Sequence, residues 1–185
     1  MQDLFVNRAF SNYIAGTQWS TFNLSIEQAQ AGWPFVTEDR MLIDERANLY
    51  HYATFMPKVL GGGSFYLTNI YDGDGNLFDG DSTYRMHVPA DTPAGDFWSA
   101  IAYSFATHGF IEGAERVGIS SLDTESLQAN DDGSVDLYFA PSAPEGQASN
   151  WIPTGEAFWV VLRLYGPQEP LFNRSWSLPD VEKVR

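Results

Sequence analysis

The sequence predicts a mainly β protein: a jelly-roll-like antiparallel sandwich preceded by a short helical segment. Three observations lead there. After Gly61-Gly62-Gly63, short runs of β-branched and aromatic residues recur, separated by Asp-Gly, Asn-Asp-Asp-Gly and proline-containing turns. The chain carries 13 Phe, 9 Tyr and 6 Trp in 185 residues, and aromatic side chains suit the pleated, half-buried surface of a strand. Before the triple glycine the apolar residues recur at helical spacing instead.

The order of elements follows from these signals. Leu4, Phe5, Ala9, Phe10, Tyr13 and Ile14 match one helical face. Ser25 with Gln28 forms a capping box for a short second helix ended by Gly32 and Pro34. Thr37 is placed to cap a third helix reaching about Phe55, with Leu42, Arg46, Leu49, Tyr50 and Ala53 on one face and Pro57 as its stop. Residues 1–60 therefore read as a helical lead-in packing on the β domain of residues 61–185. In that domain SFYLTNIY, STYRMHV, DFWSAIAYSF and GSVDLYFAP read as strands. AFWVVLRLYG is the most continuous apolar run and reads as a central strand. The aromatic residues Phe5, Phe10, Tyr13, Trp19 and Phe22 of the lead-in need a surface to cover them, either the β domain or a second copy of the chain.

Composition narrows the function. The net charge is −14, from 24 acidic and 10 basic residues, which disfavours a nucleic-acid partner because phosphate binding draws on Lys and Arg. No apolar run reaches the ~20 residues of a membrane span. There are no cysteines, so disulfides, thiolate metal ligation and cysteine nucleophiles are excluded. MQDLFVNRAF lacks the apolar core of a signal peptide, which implies either an intracellular protein or a mature form whose leader has been removed to the periplasm or outside. At this length a chain buries roughly 70% of its unfolded surface, so its stability requires neither metal nor disulfide.

Several ordered motifs carry a family resemblance. They are Tyr71-Asp-Gly-Asp-Gly-Asn-Leu-Phe-Asp-Gly followed by Tyr84, then Pro93 and Phe97-Trp98-Ser99. After them come Asn130-Asp-Asp-Gly-Ser-Val-Asp-Leu-Tyr-Phe139, Pro144-Glu-Gly, Asn150-Trp-Ile-Pro-Thr154, Arg163-Leu-Tyr-Gly-Pro167 and Trp176. With the segment around Arg46-Ala47, this set resembles the bacterial domain of unknown function 1214, over roughly residues 37 to 185. That domain usually forms the C-terminal half of longer proteins beginning with domain of unknown function 1254. The resemblance implies a jelly-roll-like β domain with a helical lead-in, and it implies no chemistry, since a fold does not supply a function. The chain departs from the pattern at Ser104, where relatives tend to have Asp, at His108, where they tend to have Arg, and in a shortened turn at Thr154-Gly-Glu-Ala.

The acidic stretch YDGDGNLFDGD, with Asp72, Asp74, Asn76, Asp79 and Asp81, poses a choice between calcium loop and turn. Counted from Asp72, an EF-hand would need Gly at its sixth position and Glu at its twelfth, where this chain has Leu77 and Thr83. Asp-Gly and Asn are also turn chemistry, so residues 72–81 are expected to connect two strands without a metal. His51, His87 and His108 form no zinc motif, and GxSxG, P-loop and dinucleotide fingerprints are absent. No cofactor is expected.

Polar residues that interrupt apolar motifs are the remaining candidates. Arg163 sits inside WVVLRLYG, where a charge needs a partner, with Asp96 or Asp136 as candidate carboxylates. A guanidinium there also suits an anionic or carbonyl ligand. Asn150 and Trp151, with Trp98 and Tyr165, are candidates for an aromatic-lined groove, and Asn150 is equally suited to satisfying a loop backbone. Tyr103, Ser104 and His108 follow the FWS strand, and His108 is the residue type for acid–base work near neutral pH. The candidate ligand-binding set is thus Trp98, Tyr103, His108, Asn150, Trp151, Arg163 and Tyr165. Two functional classes remain open: a binding or interaction module for a carbohydrate, a small carboxylate or a partner protein, and a hydrolase or lyase acting on a sugar or small carboxylate.

Overall fold

The computed structural model describes residues 6, 10–22, 35–36, 38–43 and 63–184. Among these residues ten strands form two sheets. The first contains β1 (Phe10–Asn12), β2 (Ser20–Phe22), β3 (Ser64–Asn69), β5 (Ala94–Ser104), β6 (Gly118–Ser120) and β9 (Phe158–Pro167), in the order β1-β2-β3-β9-β5-β6. The second contains β4 (Tyr84–Val88), β7 (Val135–Ala140), β8 (Trp151–Pro153) and β10 (Glu182–Lys183), in the order β10-β4-β7-β8. All pairs are antiparallel except β7 with β8. A single turn of helix, α1 (Glu169–Phe172), follows β9. The fold is a mainly β, two-sheet sandwich, as the sequence indicated.

Strand alternation explains the core. On β9, Phe158, Val160, Leu162 and Leu164 point inward, and the partners opposite them include Leu67 and Phe65 on β3 and Ala100 and Trp98 on β5. Met86, Leu137, Phe139 and Ile152 meet them from the second sheet. AFWVVLRLYG does lie centrally, between β3 and β5. Its buried run exceeds simple alternation because Trp159 and Val161 form a second apolar cluster with Ile70 and Tyr103 on the opposite face of the sheet, against which Val6 packs.

The lead-in differs from the helical expectation where it is described. Residues 10–22 form the hairpin β1–β2, turned by Gly16 at φ 78°, a conformation that favours glycine. Tertiary pairing overrides the helical spacing because β2 joins the edge of β3 and Tyr13, Ile14 and Trp19 of the hairpin pack in the sandwich core. Trp19 is fully buried and donates its indole N–H to Pro179 O at 2.8 Å, and Tyr13 lies 4.9 Å from the ring of Phe65. The helix expected from Thr37 does not begin there: residues 38–42 are non-helical, and an antiparallel bridge of Val36 with Met41 closes them, with Leu42 N–H donating to Phe35 O at 2.7 Å. The remainder of that helix from residue 44, and the capping box at Ser25 and Gln28, lie outside the described residues. No helix among the described residues is long and apolar enough to cross a membrane.

Candidate functional site

The acidic turn is a pair of side-chain-capped loops. Asp72 is buried, and its Oδ1 accepts the backbone N–H of Asn76 at 2.8 Å and of Asp74 at 3.1 Å. Asn76 Nδ2 donates to both carboxylate oxygens. Asp79 repeats the device. Its Oδ1 accepts from Ser82 and Asp81 N–H, while Oδ2 takes the Tyr84 hydroxyl at 3.0 Å and Lys183 Nζ at 2.9 Å. Both carboxylates accept several donors, the pattern of side-chain-capped turns. Among the described residues no cluster of three or more His, Asp or Glu is placed to hold a metal ion. The apolar residue inside this motif, Phe78, is a core anchor stacked on Phe158 at 5.0 Å and edge-on to Tyr84. Gly80 is required because a Cβ there would fall 2.2 Å from the backbone nitrogen of Glu156, in the turn before β9.

The polar interruption at Arg163 falls on the outward phase of β9. It is flanked across the ladder by Tyr66 on β3 and Ser99 on β5. The guanidinium donates through Nη2 to the Tyr103 hydroxyl and lies over the Tyr66 ring at 5.4 Å and the Tyr103 ring at 6.0 Å. Burial raises the Tyr103 pKa above its ordinary value, against the lowering influence of Arg163, and the nearby phenols of Tyr66 and Tyr165 raise it further. Two phenols, Tyr66 and Tyr103, thus flank the guanidinium. Of the candidate carboxylates for Arg163, Asp136 lies in the other sheet, where His87 Nδ1 meets it at 2.8 Å. Asp96 instead sits against Gly166 at the end of β9. Among the described residues the partners of Arg163 include the aromatic Tyr66 and Tyr103, because register determines which side chains share its face.

Exposure divides this face in two. Toward the His108 end, Tyr103 and Trp159 are buried and stacked at 4.8 Å, and His108 stands 6.4 Å from the Trp159 ring with its backbone at φ 58°. Toward the opposite end, Ser64, Tyr66, Phe97, Ser99, Arg163 and Tyr165 are half-exposed. Phe97 and Tyr165 stack there at 4.0 Å, and Ser64 Oγ donates to the Tyr66 hydroxyl at 3.0 Å.

The seven candidate residues therefore separate. Tyr103, His108, Arg163 and Tyr165 share the outer face of the larger sheet. Trp98 belongs to the inner core, because it pairs with inward-facing Leu164. Trp151 opens β8 of the smaller sheet, and Asn150 closes the 3-10 turn just before it. Asn150 is a buried clamp, accepting from Gln128 N–H and donating to Gln128 O and Asp136 O. Trp151 donates its indole N–H to Ala140 O. Sequence reasoning missed Tyr66, Phe97 and Trp159. The signal was present as alternation: counting by twos from Arg163 reaches Trp159 and Tyr165, and Tyr66 stands between the inward residues Phe65 and Leu67.

A two-sheet sandwich with an aromatic, arginine-centred outer face is the class that this geometry defines. Residues 63–169 match the family described as "Protein of unknown function (DUF1214)", and the chain belongs to that family. A crystal structure of a Vibrio parahaemolyticus protein shares the fold at a TM-score of 0.61 and 18% identity, covering 86% of this chain and 41% of the other. A putative uncharacterized protein from Burkholderia cenocepacia aligns at a TM-score of 0.42 and 14% identity, covering 86% of this chain and 46% of its own. The chain thus spans less than half the length of these two proteins. No curated protein matches it.

Proposed function

We propose that the protein is a non-catalytic binding module whose outer sheet face takes a carbohydrate at Tyr66, Phe97, Arg163 and Tyr165. One observation carries this reading: on a face otherwise closed by buried rings, a half-exposed set of aromatic and polar side chains shares the outer face with the Arg163 guanidinium, which lies over the Tyr66 ring. Aromatic faces cover the C–H surfaces of a sugar ring, while hydroxyls and a guanidinium read its oxygens. Ser64, Ser99 and the tyrosine hydroxyls supply that polar complement. Binding is favoured over hydrolysis or lyase chemistry because the candidate set does not converge. Asn150 and Trp151 are engaged in the other sheet, and His108 lies toward the closed end of the face.

The test is a thermal melt with neutral disaccharides such as cellobiose, maltose and lactose. A disaccharide at about 100 times its dissociation constant stabilises by roughly 2.7 kcal/mol, a rise of about 5–10 °C for a chain this long. Tyr165→Ala should remove the rise. A panel without any response, or a Tyr165 variant that responds as the parent does, would overturn the reading.

A further inference from the structure

The β6 edge of the larger sheet carries three exposed apolar side chains: Phe110 is 58% exposed, Val117 37% and Leu122 63%. The register sets them in order along β5. Phe110 bridges to Tyr103, Val117 O accepts the Ala102 N–H, and Leu122 follows Ser121, whose N–H donates to Trp98 O. From Tyr103 to Trp98 that edge runs about 17 Å, at ~3.4 Å per residue. Stacking on Tyr103 at 5.4 Å fixes the Phe110 ring. The backbone of the edge is partly open. In the antiparallel ladder with β5, Gly118 and Ser120 direct their N–H and C=O outward. Ser120 satisfies its pair locally, its N–H on Asp123 Oδ2 at 2.8 Å and its C=O on the Asp123 N–H at 3.0 Å. Gly118 presents one donor and one acceptor. The surrounding charge has one sign. Glu112, Glu115, Asp123 and Glu125 are exposed within three residues of the apolar side chains. Arg116, the one Lys or Arg between Arg85 and Arg163, turns toward β8, donating through Nη1 to Ser149 O at 2.7 Å and Trp151 O at 3.3 Å.

We propose that this edge docks an extended, basic and apolar segment of a partner protein. Charge decides the partner. The acids repel a second copy of this chain, whose net charge is −14, and any phosphate-bearing surface, while they attract Lys and Arg. In an extended segment alternation gives the two properties separate faces. Apolar side chains meet Phe110, Val117 and Leu122, and basic ones meet the carboxylates. Gly118 takes one pair of main-chain hydrogen bonds, as in strand addition at a sheet edge. The proposal is independent of the carbohydrate reading and uses none of its residues.

The test is fluorescence anisotropy of two dilute labelled peptides at about 0.15 M salt, where the screening length is ~8 Å. The peptide KLKLKLK carries both properties, and KSKSKSK carries the charge alone. The parent should bind KLKLKLK at least tenfold tighter than KSKSKSK, about 1.4 kcal/mol. Phe110→Ala combined with Leu122→Ser should abolish that preference, and Glu112→Gln with Glu115→Gln should weaken both peptides. Leu77→Ser, at an exposed leucine in the acidic 72–81 turn, should bind as the parent does. Phe110 and Leu122 belong to neither apolar cluster, so the double variant keeps the core intact. Absence of binding, equal affinity for the two peptides, or an unchanged preference in the double variant overturns the proposal. So does a parent dimer in light scattering that the double variant abolishes, which would make the edge an interface between copies.

Discussion

Phe97 and Tyr165 face each other directly across β5 and β9, with ring centroids 4.0 Å apart and planes 14° from parallel. Cross-strand aromatic pairs of this kind contribute beyond the area they bury, by about 0.5–1.5 kcal/mol. A double-mutant cycle with Phe97→Ala and Tyr165→Ala should return a coupling of that size in chemical denaturation. Additive losses would show that the two rings are merely adjacent. The same pair anchors the exposed end of the outer face, so the cycle also measures how far that surface is pre-organised.

Arg163 holds the centre of the face by its contacts with Tyr66 and Tyr103. Arg163→Ala leaves the hydroxyl of Tyr103, a residue only 7% exposed, without its charged donor, and should cost about 1–3 kcal/mol. Adding Tyr103→Phe should recover part of that loss by removing the orphaned hydroxyl. Arg163→Lys should not restore stability, because an ammonium reproduces neither the fork nor the planar stacking of guanidinium. Equal melting temperatures for the parent and Arg163→Ala would refute the structural role.

Long strands were legible and short ones were not. SFYLTN, YRMHV, VDLYFA and FWVVLRLYGP each contain enough alternating or apolar residues to declare themselves. Gly118–Ser120 and Trp151–Pro153 are three residues each, too short for any period, and exist because longer neighbours offer them an edge. The hairpin at 10–22 misled for a different reason: its apolar residues fit a helical face locally, but β1 pairs with β2 and Ser20 of β2 pairs with Thr68 across the intervening chain. The site was half legible. Arg163 stood out as a charge in an apolar run, but choosing Trp98 over Phe97 required the β5–β9 register, which places Trp98 opposite Leu164 and Phe97 opposite Tyr165.

The tandem loop at 72–81 predicts indifference to calcium. Asp72 receives the N–H groups of Asp74 and Asn76 in a buried position, and hydrogen bonds to a charged acceptor are worth about 1.5–3 kcal/mol each. Asp72→Ala should therefore destabilise by about 3 kcal/mol, since the two bonds are not independent. Calcium and EDTA should leave the melting temperature of the parent protein unchanged. A calcium-dependent rise that EDTA reverses would reassign the loop as a cation site.

Two aspartates should respond to pH with opposite signs. Burial pushes the Asp79 carboxyl upward, but bonds from Ser82, Lys183 and Tyr84, with the Lys183 charge, outweigh it and hold the carboxyl well below the usual range. A depressed folded pKa stabilises above the unfolded value, near 3.9, and that stabilisation is lost as pH falls below it. Asp180 is shifted the other way: burial raises it, against the Gln18 N–H that meets its Oδ1 at 2.6 Å. Its favourable contribution is complete below the unfolded value and is lost as pH rises through the raised folded one. Asp79→Asn should thus lower the melting temperature at neutral pH, with the gap to the parent narrowing below about pH 4. Asp180→Asn retains an acceptor for Gln18 and removes the penalised charge. It should melt at or above the parent temperature at neutral pH and lose that advantage in acid. Melting curves of both variants across the acid range provide the check. If the two gaps move in the same direction, burial does not dominate at Asp180 and its carboxylate is stabilised by the Gln18 N–H instead.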